Sequence, residues 1–198
     1  SALAFISAPV ETPLLANYKL YIDGALIDVG PGRGEAPVWD GDGTFRSLPY
    51  AALDATKQLA AGSTAAIAIE AMHSGGARAI LELQLHLADG TVKTVVSDET
   101  WVAFNGDTHR KPGKAQHGNS AGTGFLEYID ARMEPVGWKL KGFQSGSGWG
   151  AAVATAPTAM ELQNLHAKME PPMQVYEVPV KLIIPVPSPP SPPTPPAE

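Results

Sequence analysis

Residues 127–143 (EYIDARMEPVGWKLKGF) concentrate acidic and basic side chains beside a tryptophan. Glu127 and Asp130 are two carboxylates close in sequence. Hydrolysis of a glycosidic bond uses two carboxyl groups, about 5 Å apart for retention or about 6.5–9.5 Å apart for inversion. In an extended strand, however, residues three apart face opposite sides, whereas residues two apart share a face. We therefore expect a fixed structural pair of Asp130 with Arg132, whose guanidinium can bind a carboxylate at two points, and no catalytic residue in this chain.

A second candidate site is the stretch WDGDG at residues 39–43. Trp39 could stack on a sugar ring, and the carboxylates of Asp40 and Asp42 are oxygen ligands of the kind that calcium binds. The stretch lacks the twelve-residue calcium loop and its closing Glu, and Asp-Gly pairs also form ordinary turns. The sequence predicts a carbohydrate site at Trp39, Asp40 and Asp42, supported by Asp130 and Arg132. Asp40 and Asp42 would be the metal ligands, with calcium the ion they suit and no cofactor required.

The rest of the composition excludes several classes of protein. The net charge of −6 and the scattered basic residues argue against a nucleic-acid partner. The absence of cysteine excludes disulfide scaffolds and thiolate metal sites. No apolar run reaches the roughly 18 residues of a membrane span. The five histidines show no ligand spacing, and the Ser147 turn lacks a His–Asp relay. Trp101, Trp138 and Trp149 are predicted to pack in the core.

Short apolar runs separated by Gly and Pro indicate an all-β sandwich. Residues 3–6 and 65–72 form predicted strands. Residues 18–29 form a predicted hairpin around Asp-Gly, and residues 79–96 form a second one. In the second hairpin the alternation predicts one buried face, formed by Leu81, Leu83, Leu85 and Leu87.

Three further segments complete the predicted organisation. Residues 50–59 read as one short helix followed by a glycine stop. Residues 175–184 read as a last extended segment. Residues 185–198 (PVPSPPSPPTPPAE) can join neither sheet nor helix and predict a polyproline II tail. The expected domains are therefore a β-sandwich over residues 1–184 and a Pro/Ser/Thr-rich tail or linker over residues 185–198.

Four segments, taken in order, resemble a known family. They are YKLYIDGALIDVGPGR, LPYAALDATKQLAAG, LELQLHLADGTVKTVVSDETW, and EYIDARMEPVGW followed by GFQSGSGW. This order is similar to the N-terminal accessory β-sandwich of bacterial-type α-L-rhamnosidases. The sequence departs from the family pattern at Leu126 and Ile129. It also departs at residues 72–76, where some relatives carry a calcium-dependent L-rhamnose site and this chain lacks the polar ligand and the aromatic.

The resemblance implies a jelly-roll-like antiparallel sandwich whose parent chain carries its catalytic carboxylates in a separate helical barrel. The function it implies is a non-catalytic, extracellular or cell-surface module that presents or binds rhamnose-containing glycans. The tail points to an alternative, a structural subunit of an extracellular fibre or cell wall. On either hypothesis the tail is the connector, to copies of the same chain or to a missing catalytic domain.

Overall fold

The computed structural model describes residues 1–8, 17–30, 48–59, 62, 64–72, 78–106, 110–113, 126–155 and 165–168. Strands predominate among these residues, turns and loops connect them, and helix is almost absent. The strands are β1 Ala2–Ser7, β2 Asn17–Ile22, β3 Ala25–Gly30, β4 Leu48–Asp54, β5 Ile67–Met72, β6 Ile80–His86, β7 Val92–Val96, β8 Val102–Phe104, β9 Arg110–Gly113, β10 Leu126–Ile129, β11 Trp149–Ala151 and β12 Leu165–Ala167. A single turn of 3₁₀ helix, Ala131–Met133, follows β10.

Two main sheets are formed. The larger has the strand order β12-β4-β1-β6-β7, and the smaller has the order β3-β2-β5. Two further pairs are β9 with β10 and β8 with β11. Strand pairing is antiparallel except between β12 and β4, which are parallel. The prediction of an antiparallel all-β fold is confirmed, while the jelly-roll connectivity stays a prediction.

The core lies between the two main sheets. Alternate residues of β1 and β6 face inwards and meet the inner face of β2, as the period of two requires. An apolar space too narrow for water lies at this contact, lined by Ala4, Leu20, Ile22, Ile67, Leu81 and Leu83. Leu20 is 1% exposed and Leu83 is 2% exposed. Each such leucine contributes roughly 1.5–3 kcal/mol by burial, so the contact between the two sheets stabilises the sandwich.

Both predicted hairpins, β2–β3 and β6–β7, are present, and one prediction about the end of β6 is wrong. Asp23 and Gly24 adopt φ of 49° and 83°, as a two-residue turn between β2 and β3 requires. Between β6 and β7, Leu81 and Leu83 are buried and Leu85 is half-buried. The predicted burial of Leu87 is wrong, because β6 ends at His86 and Leu87 enters the turn, where it is 40% exposed.

The predicted helix over residues 50–59 is also wrong. Residues 48–54 form β4 in the middle of the larger sheet, paired with β1 on one side and β12 on the other. Ala51, Leu53 and Ala55 are buried, whereas Ala52 and Asp54 are exposed, which is the period of a strand. The helix propensity of Ala and Leu is weak, and pairing with two neighbouring strands outweighs it.

The predicted extended segment at 175–184 and the tail at 185–198 lie outside the described residues. The boundary between them therefore stays a prediction. Within the described part of the chain, no helix is long and apolar enough to cross a membrane.

Candidate functional site

Asp130 and Arg132 come together at the end of β10. Asp130 caps the 3₁₀ turn and accepts a hydrogen bond from the backbone N–H of Arg132 at 3.1 Å. The guanidinium adds two more, from Nε to Oδ1 at 2.8 Å and from Nη2 to Oδ2 at 2.6 Å. The expected pair is present, but it lies on a 3₁₀ turn and not on one face of a strand.

This ion pair is braced and exposed. The Asp130 carboxylate, which binds Arg132 through both oxygens, raises the pKa of the guanidinium above its ordinary value. The Arg132 side chain is 88% exposed, so solvent screens the pair and its contribution to stability is small. Because both carboxylate oxygens already accept hydrogen bonds, the geometry suits a structural brace better than a general acid or base.

Residues after the brace pack against the smaller sheet. The Trp138 ring meets the Tyr21 ring edge-on at 6.0 Å. The ammonium of Lys139 lies 4.3 Å from the Tyr21 ring centre and 5.0 Å from that of Trp138. Glu134 accepts the indole N–H of Trp138 at 3.1 Å and lies 3.8 Å from the Lys139 ammonium. This arrangement combines aromatic, cation–π and ionic contacts. It fixes residues 134–141, called the corner below, against β2.

The same corner is held to the turn of the first hairpin. The Asp23 carboxylate accepts the backbone N–H of Lys141 at 2.9 Å. Leu140 packs so closely on Gly24 that a Cβ there would lie 2.6 Å from Leu140 Cδ2. The part of the acid–base stretch that suggested a catalytic site in the sequence, residues 134–141, therefore packs around the β2–β3 turn.

A buried polar pair lies inside the smaller sheet. Tyr18 is 3% exposed and Asp28 is 1% exposed, and the Tyr18 hydroxyl donates to Asp28 Oδ2 at 2.7 Å. Burial, then the hydrogen bond and the charge of Asp28, raise the pKa of Tyr18 well above its ordinary range. Asp28 Oδ1 is buried and has no hydrogen-bond partner among the described residues. Sequence reasoning missed this pair, although a lone carboxylate in the apolar strand ALIDVG was the available signal.

An aromatic cluster lies on the β8–β11 pair. Trp149 is directly opposite Phe104 in the register, with ring centres 5.4 Å apart. Phe143, from the preceding loop, lies 4.9 Å from the same indole. All three rings are half-buried, so the predicted core role of Trp149 holds only in part. Trp101, by contrast, packs against the main core and donates its indole N–H to the Val96 carbonyl at 3.1 Å.

The other predicted site residues lie outside the part of the chain that the structure describes. Trp39, Asp40 and Asp42 lie outside the described residues, as does the side chain of Glu127 on β10. No group of three or more His, Asp or Glu side chains with metal-binding geometry occurs among the residues described. The structure therefore brings together only Asp130 and Arg132 of the predicted set, and the sugar and calcium roles stay predictions.

The region from β5 onwards carries the brace, the corner and the aromatic cluster, and it is the part of the chain that a family model matches. That model is the alpha-L-rhamnosidase N-terminal domain, and it matches residues 60–177, more than half of the chain. The chain belongs to this family. In this rhamnosidase N-terminal domain the brace lies within the matched region, whereas β1 to β4, and with them the residues of the first hairpin that hold the corner, precede it. Neither a comparison with curated proteins nor one with solved structures returned a match.

Proposed function

We propose that this chain is a non-catalytic, carbohydrate-associated module of an α-L-rhamnosidase-like protein, which presents or binds rhamnose-containing glycans outside the cell or at its surface. The family match carries the proposal, because it covers an N-terminal domain of rhamnosidases. The Asp130–Arg132 brace supports the non-catalytic part, since a carboxylate with both oxygens bound by one guanidinium is poorly suited to proton transfer. A catalytic domain would lie elsewhere in the parent protein.

Glycan-array binding of the whole chain, with calcium and with a chelator, tests the binding part. Binding of rhamnose-containing glycans is expected. Loss of binding in the chelator, restored by calcium and abolished in Asp40→Ala, would support Asp40 and Asp42 as ligands. If Trp39→Ala keeps its fold and full affinity, the loop containing Trp39 is not the sugar site.

Hydrolysis of nitrophenyl α-L-rhamnoside tests the non-catalytic part. The chain is expected to release no nitrophenol above background. Release that disappears in Glu127→Gln, but persists in the matched variant Glu99→Gln, would overturn the proposal and make Glu127 a catalytic residue.

The proline-rich tail favours a second candidate, a structural subunit of an extracellular fibre or wall. Residues 185–198 are mostly proline with Ser and Thr, and a segment in which proline fixes φ and removes most backbone donors can serve as a stiff connector. Sedimentation of the full chain and of a form lacking residues 185–198 separates the two. Assembly that is lost with the tail, at an unchanged melting temperature, supports the fibre candidate. Two monomeric forms would leave the tail as a spacer.

A further inference from the structure

The loop between Phe143 and Trp149 differs from the rest of the described surface. Its two end residues are aromatic, and their rings contact each other at 4.9 Å, so the loop is closed on itself. The Trp149 N–H also donates back to the Gly146 carbonyl at 3.2 Å, through the backbone. Gly148, at φ of 88°, lies against the Phe104 ring, and β11 then anchors Trp149 by pairing with β8. These contacts hold the indole in one position.

The indole N–H of Trp149 distinguishes it from the other described tryptophans. Trp101 donates to the Val96 carbonyl and Trp138 donates to Glu134. Trp149 Nε1 makes no hydrogen bond to any residue described here, and it is not among the buried polar atoms that lack a partner. The donor is therefore exposed to solvent at the edge of a fixed aromatic surface. Tyr and Trp side chains with an apolar ring against the protein and a solvent-exposed O–H or N–H are typical of binding surfaces.

The loop that ends at this indole also carries polar side chains. Gln144, Ser145 and Ser147 are exposed, and both serine hydroxyls make no hydrogen bond within the described chain. The Gln144 amide makes a single contact, to the Gly142 carbonyl at 3.4 Å. A ligand with one apolar face and several hydroxyls matches this combination of rings, one N–H donor, two hydroxyls and an amide.

We infer that Trp149 and Phe143, with Ser145 and Ser147, form a binding site for a pyranose ring, stacked on the aromatic surface with its hydroxyls directed to the loop. The inference rests on the proposed glycan function and adds the residues that bind. A 6-deoxy sugar is the ligand that the proposed function names, and on an aromatic surface its methyl group avoids the desolvation cost of a C6 hydroxyl that gains no partner.

The test is a titration of the whole chain with L-rhamnose and with a rhamnose-containing oligosaccharide, followed by tryptophan fluorescence and calorimetry. L-Mannose, which differs by one hydroxyl at C6, is the matched ligand and is expected to bind several-fold more weakly. Trp149→Phe keeps a ring but removes the N–H donor, and an affinity loss of about 5-fold is expected, the value of one neutral hydrogen bond. Trp149→Ala should lose about 10-fold or more. Ser147→Ala should weaken binding by a few-fold without changing the rings.

Trp138→Phe is the matched control, because its N–H is already bound to Glu134. It should leave the affinity unchanged. If wild type binds and both Trp149→Phe and Ser147→Ala bind as tightly, the site lies elsewhere, the inference is overturned and the proposed function stands. If wild type binds no glycan at all, the binding part of the proposed function is overturned and the inference falls with it. Trp149→Phe and Ser147→Ala keep the test decisive should Trp149→Ala fail to fold.

Discussion

Removing the Tyr18 hydroxyl should destabilise the fold through Asp28. In Tyr18→Phe, Asp28 Oδ2 loses its donor, and Oδ1 already has none among the described residues. Asp28 is 1% exposed, so water cannot replace the lost bond without opening the sheet. A hydrogen bond to a charged group contributes about 1.5–3 kcal/mol, and an uncompensated buried charge costs about 3–5 kcal/mol. We expect a loss of about 2–4 kcal/mol, or roughly 4–16 °C in melting temperature.

The same pair predicts a dependence on alkaline pH. The ordinary pKa of tyrosine is 10.0, and that of Tyr18 is raised in the fold. Above pH 10 the unfolded chain releases this proton while the folded chain keeps it, so the unfolded state binds fewer protons and stability falls as pH rises. The contribution is complete below pH 10 and decreases by about 1.4 kcal/mol at pH 11. The advantage of wild type over Tyr18→Phe should shrink by that amount, whereas other tyrosines act equally in both proteins.

Urea unfolding at pH 7, 9 and 11, followed by tryptophan fluorescence, measures both effects, and equal slopes confirm that the same surface is exposed. Tyr50→Phe is the matched control, because Tyr50 is half-buried, packs on Phe5 and makes no hydrogen bond through its hydroxyl in the described structure. It should change stability by less than about 0.5 kcal/mol at pH 7. If Tyr18→Phe costs no more than Tyr50→Phe, or if its cost at pH 11 equals that at pH 7, the buried-pair reasoning is refuted.

Three further perturbations test the packing and the turns. Leu83→Ala should lower the free energy of unfolding by about 2–5 kcal/mol, because it enlarges the apolar space between the sheets. Replacement of the half-buried Gln84 by Ala should lower it by less than about 1 kcal/mol. Equal losses in chemical denaturation would contradict the assignment of Leu83 to the buried face of β6. Gly30→Ala should destabilise by about 1–3 kcal/mol, because its Cβ would overlap the Tyr18 ring, whereas Gly150→Ala, which meets nothing within 4 Å, should be close to neutral. A neutral Gly30→Ala in thermal melts would mean that the Tyr18 contact relaxes freely. Hydrogen bonds from Thr91, chiefly from its backbone N–H, lower the pKa of Asp89. The turn therefore stabilises the fold above the ordinary pKa of 3.8 and loses that effect as pH falls through the folded value. Asp89→Asn should flatten the decline in melting temperature below pH 4, and an unchanged decline would count against this role of the turn.

The hairpins were predictable because their signals are local. Asp23-Gly24 and Asp89-Gly90 specify turns through their own backbone preferences, and the leucines of β6 alternate with polar residues on the same strand. The burial of Leu87 was not predictable from that alternation, since the strand ends one residue earlier and only the pairing with β7 determines where it ends. The strand at residues 48–54 was hidden for a similar reason, because its partners are distant in sequence.

The site was predictable only where its contacts are close in sequence. The Asp130–Arg132 pair joins residues two apart, and the sequence showed it. The role of Trp138 depends on Tyr21 from another strand, and that of Trp149 depends on Phe104 through the β8–β11 register. No periodicity indicates which tryptophan keeps its N–H exposed, because that depends on where a carbonyl or carboxylate lies in three dimensions.

The central position of β1 has a consequence for the time at which the sandwich can form during synthesis. Ile6 pairs with Ala51 on one side and with Leu81 on the other. At roughly 5–20 residues per second, the ribosome delivers β6 about 4–16 s after β1. Throughout that interval a strand with Ala4 and Ile6 on its apolar face has at least one unpaired edge. Closing such long loops also slows folding. β1 therefore keeps an open edge for seconds after it is synthesised, and during that time it is the natural target for a chaperone, or for the same strand of a neighbouring nascent chain.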